Sequence, residues 1–267
     1  MASAAVMSHL VSLHSDAPFH TAIPAVTLEG ADLAAFHAQL CELINGGLGH
    51  FGESPITEEM MERALDRCLA TDLPTDRGAW YAVSVDDDAS YERSGLYCIG
   101  LAWFEGGHAA AAAMACPTMK PLTVGAVGRL FVAERGVGAL ERGISSDEAE
   151  TRLRGSQRSA IAEAVLLGPS DAGQTTASAL SRIGAVKARA AEQSLAAFAL
   201  LAGGRVDVFV KAPVGPTAEL ALGTLFVTES GGKVMDVNGG SFSMANGPEC
   251  VVAVSGAMAE AVHAALA

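Results

Sequence analysis

The chain has no long hydrophobic run, although half of its 267 residues are hydrophobic. No apolar stretch approaches the roughly 18 residues that a membrane-spanning helix needs. The first ten residues show no basic segment ahead of an apolar one, so we expect no signal peptide. The composition still allows a substantial core, and the length suits one large domain or two small ones.

Cysteine is also scarce, with five residues in the whole chain. They are scattered, odd in number and never spaced as CxxC. This pattern is typical of a reducing cytoplasm and argues against a structural zinc site. The five are Cys41, Cys68, Cys98, Cys116 and Cys250.

Positive charge is the third shortage. Lys and Arg together number 17 against 30 Asp and Glu, which gives a net charge of −13. Most of such a surface repels a phosphate-rich polymer, so we expect no nucleic-acid partner. A small anionic substrate stays open, provided that a metal ion or local cations reverse the field at one site.

The most informative segment that is present covers residues 215–238, GPTAELALGTLFVTESGGKVMDVN. Thr217 is predicted to cap a helix, because its hydroxyl can accept a bond from a free backbone N–H of the first turn. Glu219 then falls in that turn, where the helix dipole favours a carboxylate. Gly231 and Gly232 are predicted to end the helix before a strand.

A second segment, residues 80–90, reads WYAVSVDDDAS. Its β-branched and aromatic residues predict a strand that ends in three aspartates. Side chains at positions i and i+2 of an extended segment share a face, so Asp86 and Asp88 can reach one magnesium ion. The alternative is a solvated acidic turn.

The remaining pattern predicts a mixed series of helices and strands. Gly46 and Gly47 are expected to end the first helix, Thr57 to cap the second, and Glu148 to open another. The predicted helices are residues 31–45, 55–70, 175–182 and 258–266, and the predicted strands include residues 98–104, 108–115, 164–167 and 250–254.

Residues 215–238 resemble the C-terminal signature of the inositol monophosphatase superfamily, the magnesium-dependent, lithium-sensitive phosphatases of sugars, inositols and nucleotides. Gly223 and the run Glu229-Ser230-Gly231-Gly232 match that signature. Ala218-Glu219 stand where the family has Trp-Asp, whose Asp is a metal ligand. The resemblance covers roughly residues 80–267 and includes two structural motifs, Ala133-x-x-Gly136-x-Gly138-Ala139 and Gly204-Arg205-x-Asp207.

The resemblance implies a set of metal ligands and catalytic groups. The family has Asp-Pro-Ile-Asp-Gly-Thr after a Trp-led strand. Two alignments, or registers, with this motif are possible. Counting from Trp80 places the second Asp of the family motif on Asp86. The preferred alignment instead equates Asp88-Ala89-Ser90 with the Asp-Gly-Thr that closes the motif. Either register replaces one family carboxylate by valine. The implied metal ligands are Asp86, Asp88, Glu219 and Glu53, and the implied catalytic residues are Asp88, Ser90 and Glu53.

Glu53 corresponds to the first Glu of the family's Gly-Glu-Glu, with Ser54 in place of the second; the alternative is an ordinary loop carboxylate. Residues 194–203 match the helix that the family introduces with Gly-Ser, a pair that becomes Gln193-Ser194 or Glu192-Gln193 in this chain. The resemblance implies that the start of this helix and nearby basic residues contact the substrate. The alternative for the basic residues is that they are ordinary surface charges. These candidates are Ser194, Lys187, Arg189 and Lys211.

From the resemblance we expect an α/β (α+β) fold, a layered α-β-α-β-α sandwich of the inositol monophosphatase and fructose-bisphosphatase type. It forms a single domain, residues 1–267, with halves at about 1–160 and 161–267. The expected function is a magnesium-dependent phosphomonoesterase acting on a small phosphorylated sugar, cyclitol or nucleotide. The alternative is a protein of the same fold that has lost the metal site and serves as a non-hydrolytic biosynthetic enzyme, such as a lyase, isomerase or cyclase, or as a binding subunit. A cytoplasmic homodimer without a membrane partner is expected.

Overall fold

The structure is a computed structural model that describes most of the chain. The described residues are 12, 19–21, 30–50, 52–68, 78–86, 95–120, 127–144, 148–168, 174–184, 187–190, 195–211, 218–240 and 251–266.

The first half of the chain forms a seven-stranded sheet within this described part, in the order β1-β2-β3-β4-β5-β6-β7. Strands β2 to β7 are antiparallel neighbours, and β1 runs parallel to β2. The strand bounds are β1 Phe19–Thr21, β2 Ala79–Val85, β3 Ile99–Glu105, β4 His108–Cys116, β5 Arg129–Glu134, β6 Gly138–Gly143 and β7 Thr151–Arg152.

The second half forms a five-stranded sheet in the order β11-β12-β10-β8-β9. Strands β8, β9 and β10 are parallel, and β12 pairs antiparallel with β10 and β11. The central strand β10 is buried along its whole length. The bounds are β8 Val165–Gly168, β9 Lys187–Ala190, β10 Val208–Lys211, β11 Lys233–Asp236 and β12 Val251–Val254.

Helices lie between and outside the two sheets. The described helices are α1 Gly30–His50, α2 Glu58–Cys68, α3 Gln174–Ile183, α4 Leu195–Ala202, α5 Ala218–Glu229 and α6 Ala259–Leu266. None of the helices in the described part is long and apolar enough to cross a membrane.

Helices α4 and α5 form the apolar layer between the two sheets. Helix α5 packs against strands of both sheets, and α4 packs against α5 and β10. Edge-to-face ring contacts join these layers, Phe131 to Phe226 at 6.5 Å and Phe198 to Phe209 at 5.1 Å between centroids. Helices α3 and α6 contribute to a separate apolar cluster with β8, β10 and β12, and α1 and α2 form their own. This arrangement confirms the predicted fold class.

Two local predictions are wrong. Helix α1 does not end at Gly46 and Gly47 but continues to His50. Glycine lowers helix stability by only about 1 kcal/mol, and the continuation buries Leu48 in the α1–α2 cluster. No helix begins at Glu148 within residues 148–160. Glu148 instead accepts a hydrogen bond from the buried Arg129 guanidinium on β5.

The motif residues that carried the resemblance have structural roles. The backbone N–H of Gly136, in the β5–β6 turn, donates to Glu229 Oε1 at 2.9 Å and so attaches the turn to the end of α5. Asp207, which is fully buried, accepts hydrogen bonds from the Arg158 Nε and from the Val165 backbone N–H. These two carboxylates therefore connect the elements of the fold.

Two cysteines are paired, which the sequence analysis did not predict. Cys98 and Cys116 form a disulfide between the adjoining ends of the β3–β4 hairpin, with their Cα atoms 4.4 Å apart. From the sequence, the five cysteines were interpreted as scattered and unpaired, so this pairing corrects that interpretation.

Candidate functional site

Four element ends meet at one place in the described structure. Asp86 follows the last residue of β2, and Leu195 opens α4. Lys211 ends β10, and Glu219 lies in the first turn of α5. The first sheet thus supplies one carboxyl group, and the second half supplies a lysine, a second carboxylate and a helix start.

Asp86 is held by backbone groups on both of its oxygens. Its Oδ2 accepts the Cys98 N–H at 3.1 Å, and its Oδ1 accepts the Leu195 N–H at 3.0 Å. The Asp86 N–H in turn donates to the Cys98 carbonyl at 2.9 Å. Asp86 follows a strand of the first sheet and caps α4, which belongs to the second half of the chain. The positive end of the helix dipole therefore faces the Asp86 carboxyl group.

Burial raises the pKa of Asp86 from 3.8 to about 7, because desolvation disfavours the charged carboxylate. The nearby negative charge of Glu219 raises the pKa further. The N–H bonds from Leu195 and Cys98 and the positive charge of Lys211 oppose this rise. Asp86, Glu219 and Lys211 are therefore close enough to interact electrostatically.

Lys211 and Glu219 form an ion pair. Lys211 Nζ donates to Glu219 Oε1 at 2.9 Å, with the lysine side chain 2% exposed and that of Glu219 17% exposed. An ammonium group that is buried this deeply requires a counter-charge. Glu219 supplies that charge.

The family implies magnesium, and the two carboxylates suit it chemically. Magnesium takes oxygen ligands and needs only one or two carboxylates besides water and phosphate oxygens. Asp86 and Glu219 provide such oxygens from two different elements. Among the described residues, no three His, Cys, Asp or Glu side chains are grouped so that they could hold a metal ion. In this part of the chain, Asp86 and Glu219 are the carboxylates that interact with each other near Lys211, and their role as metal ligands stays a prediction.

The structure brings together three of the residues singled out in the sequence, namely Asp86, Glu219 and Lys211. Glu53 is exposed on the α1–α2 connection, where its N–H donates to the Leu48 carbonyl, and it is not grouped with that cluster. The backbone of Lys187 and Arg189 forms β9, which is separated from β10 by β8. Asp88, Ser90, Ser194, and the Lys187 and Arg189 side chains lie outside the described residues. The roles of all these residues stay predictions.

Sequence reasoning missed three features of the site. It treated Lys211 and Glu219 separately, although they pair, and it did not identify the Leu195 and Cys98 N–H groups as partners of Asp86. The Cys98–Cys116 pair did leave a signal. The two cysteines stand at nearly equal distances from the turn at Gly106 and Gly107, which places them opposite each other in a hairpin.

Comparison with known proteins identifies the family. The profile of the inositol monophosphatase family matches residues 90–267. The chain belongs to the inositol monophosphatase family. The match begins just beyond the acidic cluster at residues 86–88 and includes α4, β10 and α5, which carry Lys211 and Glu219.

Individual relatives are distant. The 3'(2'),5'-bisphosphate nucleotidase 2 of Candida albicans is 24% identical over 193 residues, which are 63% of this chain and 54% of that protein. The chain thus spans about half the length of this curated relative.

Solved structures share the fold. An inositol monophosphatase of Thermotoga maritima aligns with a TM-score of 0.59 at 19% identity, covering 78% of this chain and 79% of its own. An inositol monophosphatase of Anabaena gives 0.59 at 17% identity and 88% of both chains. The suhB extragenic suppressor protein of Bartonella henselae gives 0.58 at 21% identity, covering 78% and 81%.

Proposed function

We propose that this protein hydrolyses the phosphate monoester of a small phosphorylated sugar, cyclitol or nucleotide. The observation that carries the proposal is the convergence of Asp86, Glu219 and Lys211 beside the start of helix α4, where four element ends meet. Membership of a family of phosphatases supports it. The similarity to a bisphosphate nucleotidase supports a nucleotide as one substrate class.

Each group has a distinct task in this proposal. Asp86 and Glu219 would hold magnesium, which supplies charge neutralisation for a phosphate when it is bound. The Leu195 and Cys98 N–H groups fix the Asp86 carboxyl in position, so that its oxygens are preorganised. The Lys211 ammonium lowers the negative charge that a phosphate meets on approach.

The test is phosphate release from a panel of sugar, inositol and nucleotide monophosphates, with magnesium and then with a chelator. Asp86→Asn and Glu219→Gln should each lose about a hundredfold or more in kcat/KM, as for loss of a preorganised charge-stabilising group. The double variant should lose less than the two single losses multiplied, because both residues act through one site. Glu260→Gln, at an exposed position of α6, should keep full activity.

A second candidate function is favoured by one observation. Lys211 already neutralises Glu219, and Ala218 replaces the family tryptophan next to it. A protein of this fold that has a non-hydrolytic activity, such as a lyase, isomerase or cyclase, or a binding role, would use the site around Lys211 and Glu219 without a metal. No phosphate release from the whole panel, together with no magnesium binding by calorimetry, would favour this candidate. Full activity in chelator would contradict the role of magnesium.

A further inference from the structure

Lys211 is an unusual residue at its position in the fold. It ends the central strand of the second sheet and is 1% exposed, among the largest fully buried side chains. Val208, Phe209 and Val210 precede it and are also buried. Nothing in the β-strand pattern requires a cation there. An ammonium group is therefore retained at a site where an apolar side chain of similar volume is normally neutral or stabilising.

The partner of Lys211 is one of the two carboxylates that suit a metal ion. Lys211 Nζ lies 2.9 Å from Glu219 Oε1 and also interacts with Asp86. The negative charge of Glu219 disfavours a charged Asp86 carboxylate unless a nearby cation offsets it. In this structure the lysine supplies that positive charge.

We propose that Lys211 is a built-in competitor for the divalent cation: its ammonium occupies Glu219 in the metal-free protein, and magnesium binds by exchange for that contact. The inference deepens the proposed function and rests on it only in taking magnesium as the ion. Two consequences follow. The carboxylate pair stays compensated without metal, and magnesium affinity is weaker than the two carboxylates alone would give.

The experiment compares magnesium binding by calorimetry in the wild type, Lys211→Met and Lys233→Met. Methionine keeps the unbranched shape of lysine and fills apolar space well. Lys233 is exposed at the start of β11, at the end of the sheet away from Lys211. Both variants lose one positive charge, so a general effect of net charge acts on both. We expect Lys211→Met to bind magnesium at least tenfold more tightly than the wild type and Lys233→Met to match the wild type.

Equal affinities of the wild type and Lys211→Met would overturn the proposal, and so would no binding by either. The double variant Lys211→Met with Glu219→Gln should lose the gain, and a retained gain would also overturn it. These measurements do not use phosphate release. A chain that hydrolyses no substrate but shows the gain keeps the inference and rejects the proposed function, whereas an active phosphatase without the gain does the reverse.

A second measurement covers the case in which Lys211→Met fails to fold. The chain contains four lysines, at positions 120, 187, 211 and 233, so the side-chain signals of nitrogen-labelled lysine are few. In the wild type, the Lys211 ammonium signal should change as magnesium is titrated, because its partner is taken by the metal. An unchanged Lys211 signal over the full titration would overturn the exchange.

Discussion

At the scale of single residues, Asp86 is a carboxyl group under opposing influences. Desolvation and Glu219 favour its neutral form, while two backbone N–H groups and Lys211 favour its charged form. Desolvation is the largest of these influences, and the pKa of Asp86 therefore rises to about 7. Asp86 therefore changes its charge near neutral pH, which is typical of groups at functional sites.

This shift predicts the pH dependence of stability in metal-free buffer. The folded protein binds the Asp86 proton more tightly than the unfolded chain, whose aspartates titrate near 3.8. Between about pH 4 and 7 the folded state therefore holds more protons, and the free energy of unfolding falls as the pH rises. Asp86→Asn removes this dependence. The variant's free energy of unfolding relative to the wild type should increase between pH 5 and pH 8.

Urea unfolding at the two pH values, with chelator present, measures that difference. Asn loses one acceptor oxygen and so carries a penalty at both pH values, but the change with pH isolates the titration. Glu260→Gln serves as the control on an exposed surface. A constant difference between Asp86→Asn and the wild type from pH 5 to pH 8 would contradict the assignment.

The sequence located the carboxylates of this site but not their partners. Asp86 and Glu219 could be found because a strand end and a helix start leave recognisable patterns. The Leu195 N–H that binds Asp86 lies 109 positions away, and no local pattern joins two such segments. Lys211 was identified only as a basic residue, because its pairing depends on how β10 and α5 meet.

At the scale of elements, the crossing of α4 and α5 depends on one glycine. A Cβ atom at Gly223 would lie 2.4 to 2.6 Å from ring atoms of Phe198, which is fully buried. Real Cβ contacts are never that short, so the ring or the helix would have to move. The sequence marked Gly223 as part of a motif, and the structure supplies the reason, which is the close approach of two helices between the sheets.

Gly223→Ala should therefore destabilise the protein by about 1–3 kcal/mol, the usual cost of overpacking a core. The matched control is Gly46→Ala. Gly46 lies inside helix α1 with nothing within 4 Å of its added Cβ, so alanine should be neutral or stabilise by up to about 1 kcal/mol. Denaturant unfolding of both variants measures the difference. A Gly223→Ala protein as stable as the wild type would show that the crossing is looser than the structure indicates.

Element boundaries show why local rules fail in places. Thr57 was predicted as a helix cap, and its Oγ1 indeed accepts the Met60 N–H at 3.2 Å. Gly231 was predicted to stop α5, and it has a φ of 89° beyond the last turn. Both predictions depend only on the chemistry of one residue and its near neighbours in sequence. The prediction that the first helix ends at Gly46 was wrong because burial of neighbouring residues outweighs the small helix-propensity cost of glycine. That burial is visible only in the packed structure.

At the scale of the whole molecule, exposed apolar side chains lie along the β5–β6 hairpin. Within the described residues, Val127, Val132, Val137 and Ile144 are exposed, and all lie on or beside the β5–β6 hairpin. Val132 faces away from the core, because Phe131 and Ala133 on either side of it are buried. Exposed apolar side chains along one hairpin suit an interaction surface.

We propose that the protein is a homodimer and that the β5–β6 hairpin contributes to its interface. Light scattering at micromolar concentration should give twice the chain mass of 27.2 kDa. Val132→Glu should shift the mass toward the monomer, because a carboxylate at the centre of an interface must be desolvated without a partner. Leu43→Glu, which also adds a charge at an exposed apolar position but on α1, should leave the dimer intact. A monomeric wild type would refute the assembly, whereas a dimer that tolerates Val132→Glu would place the interface on another surface.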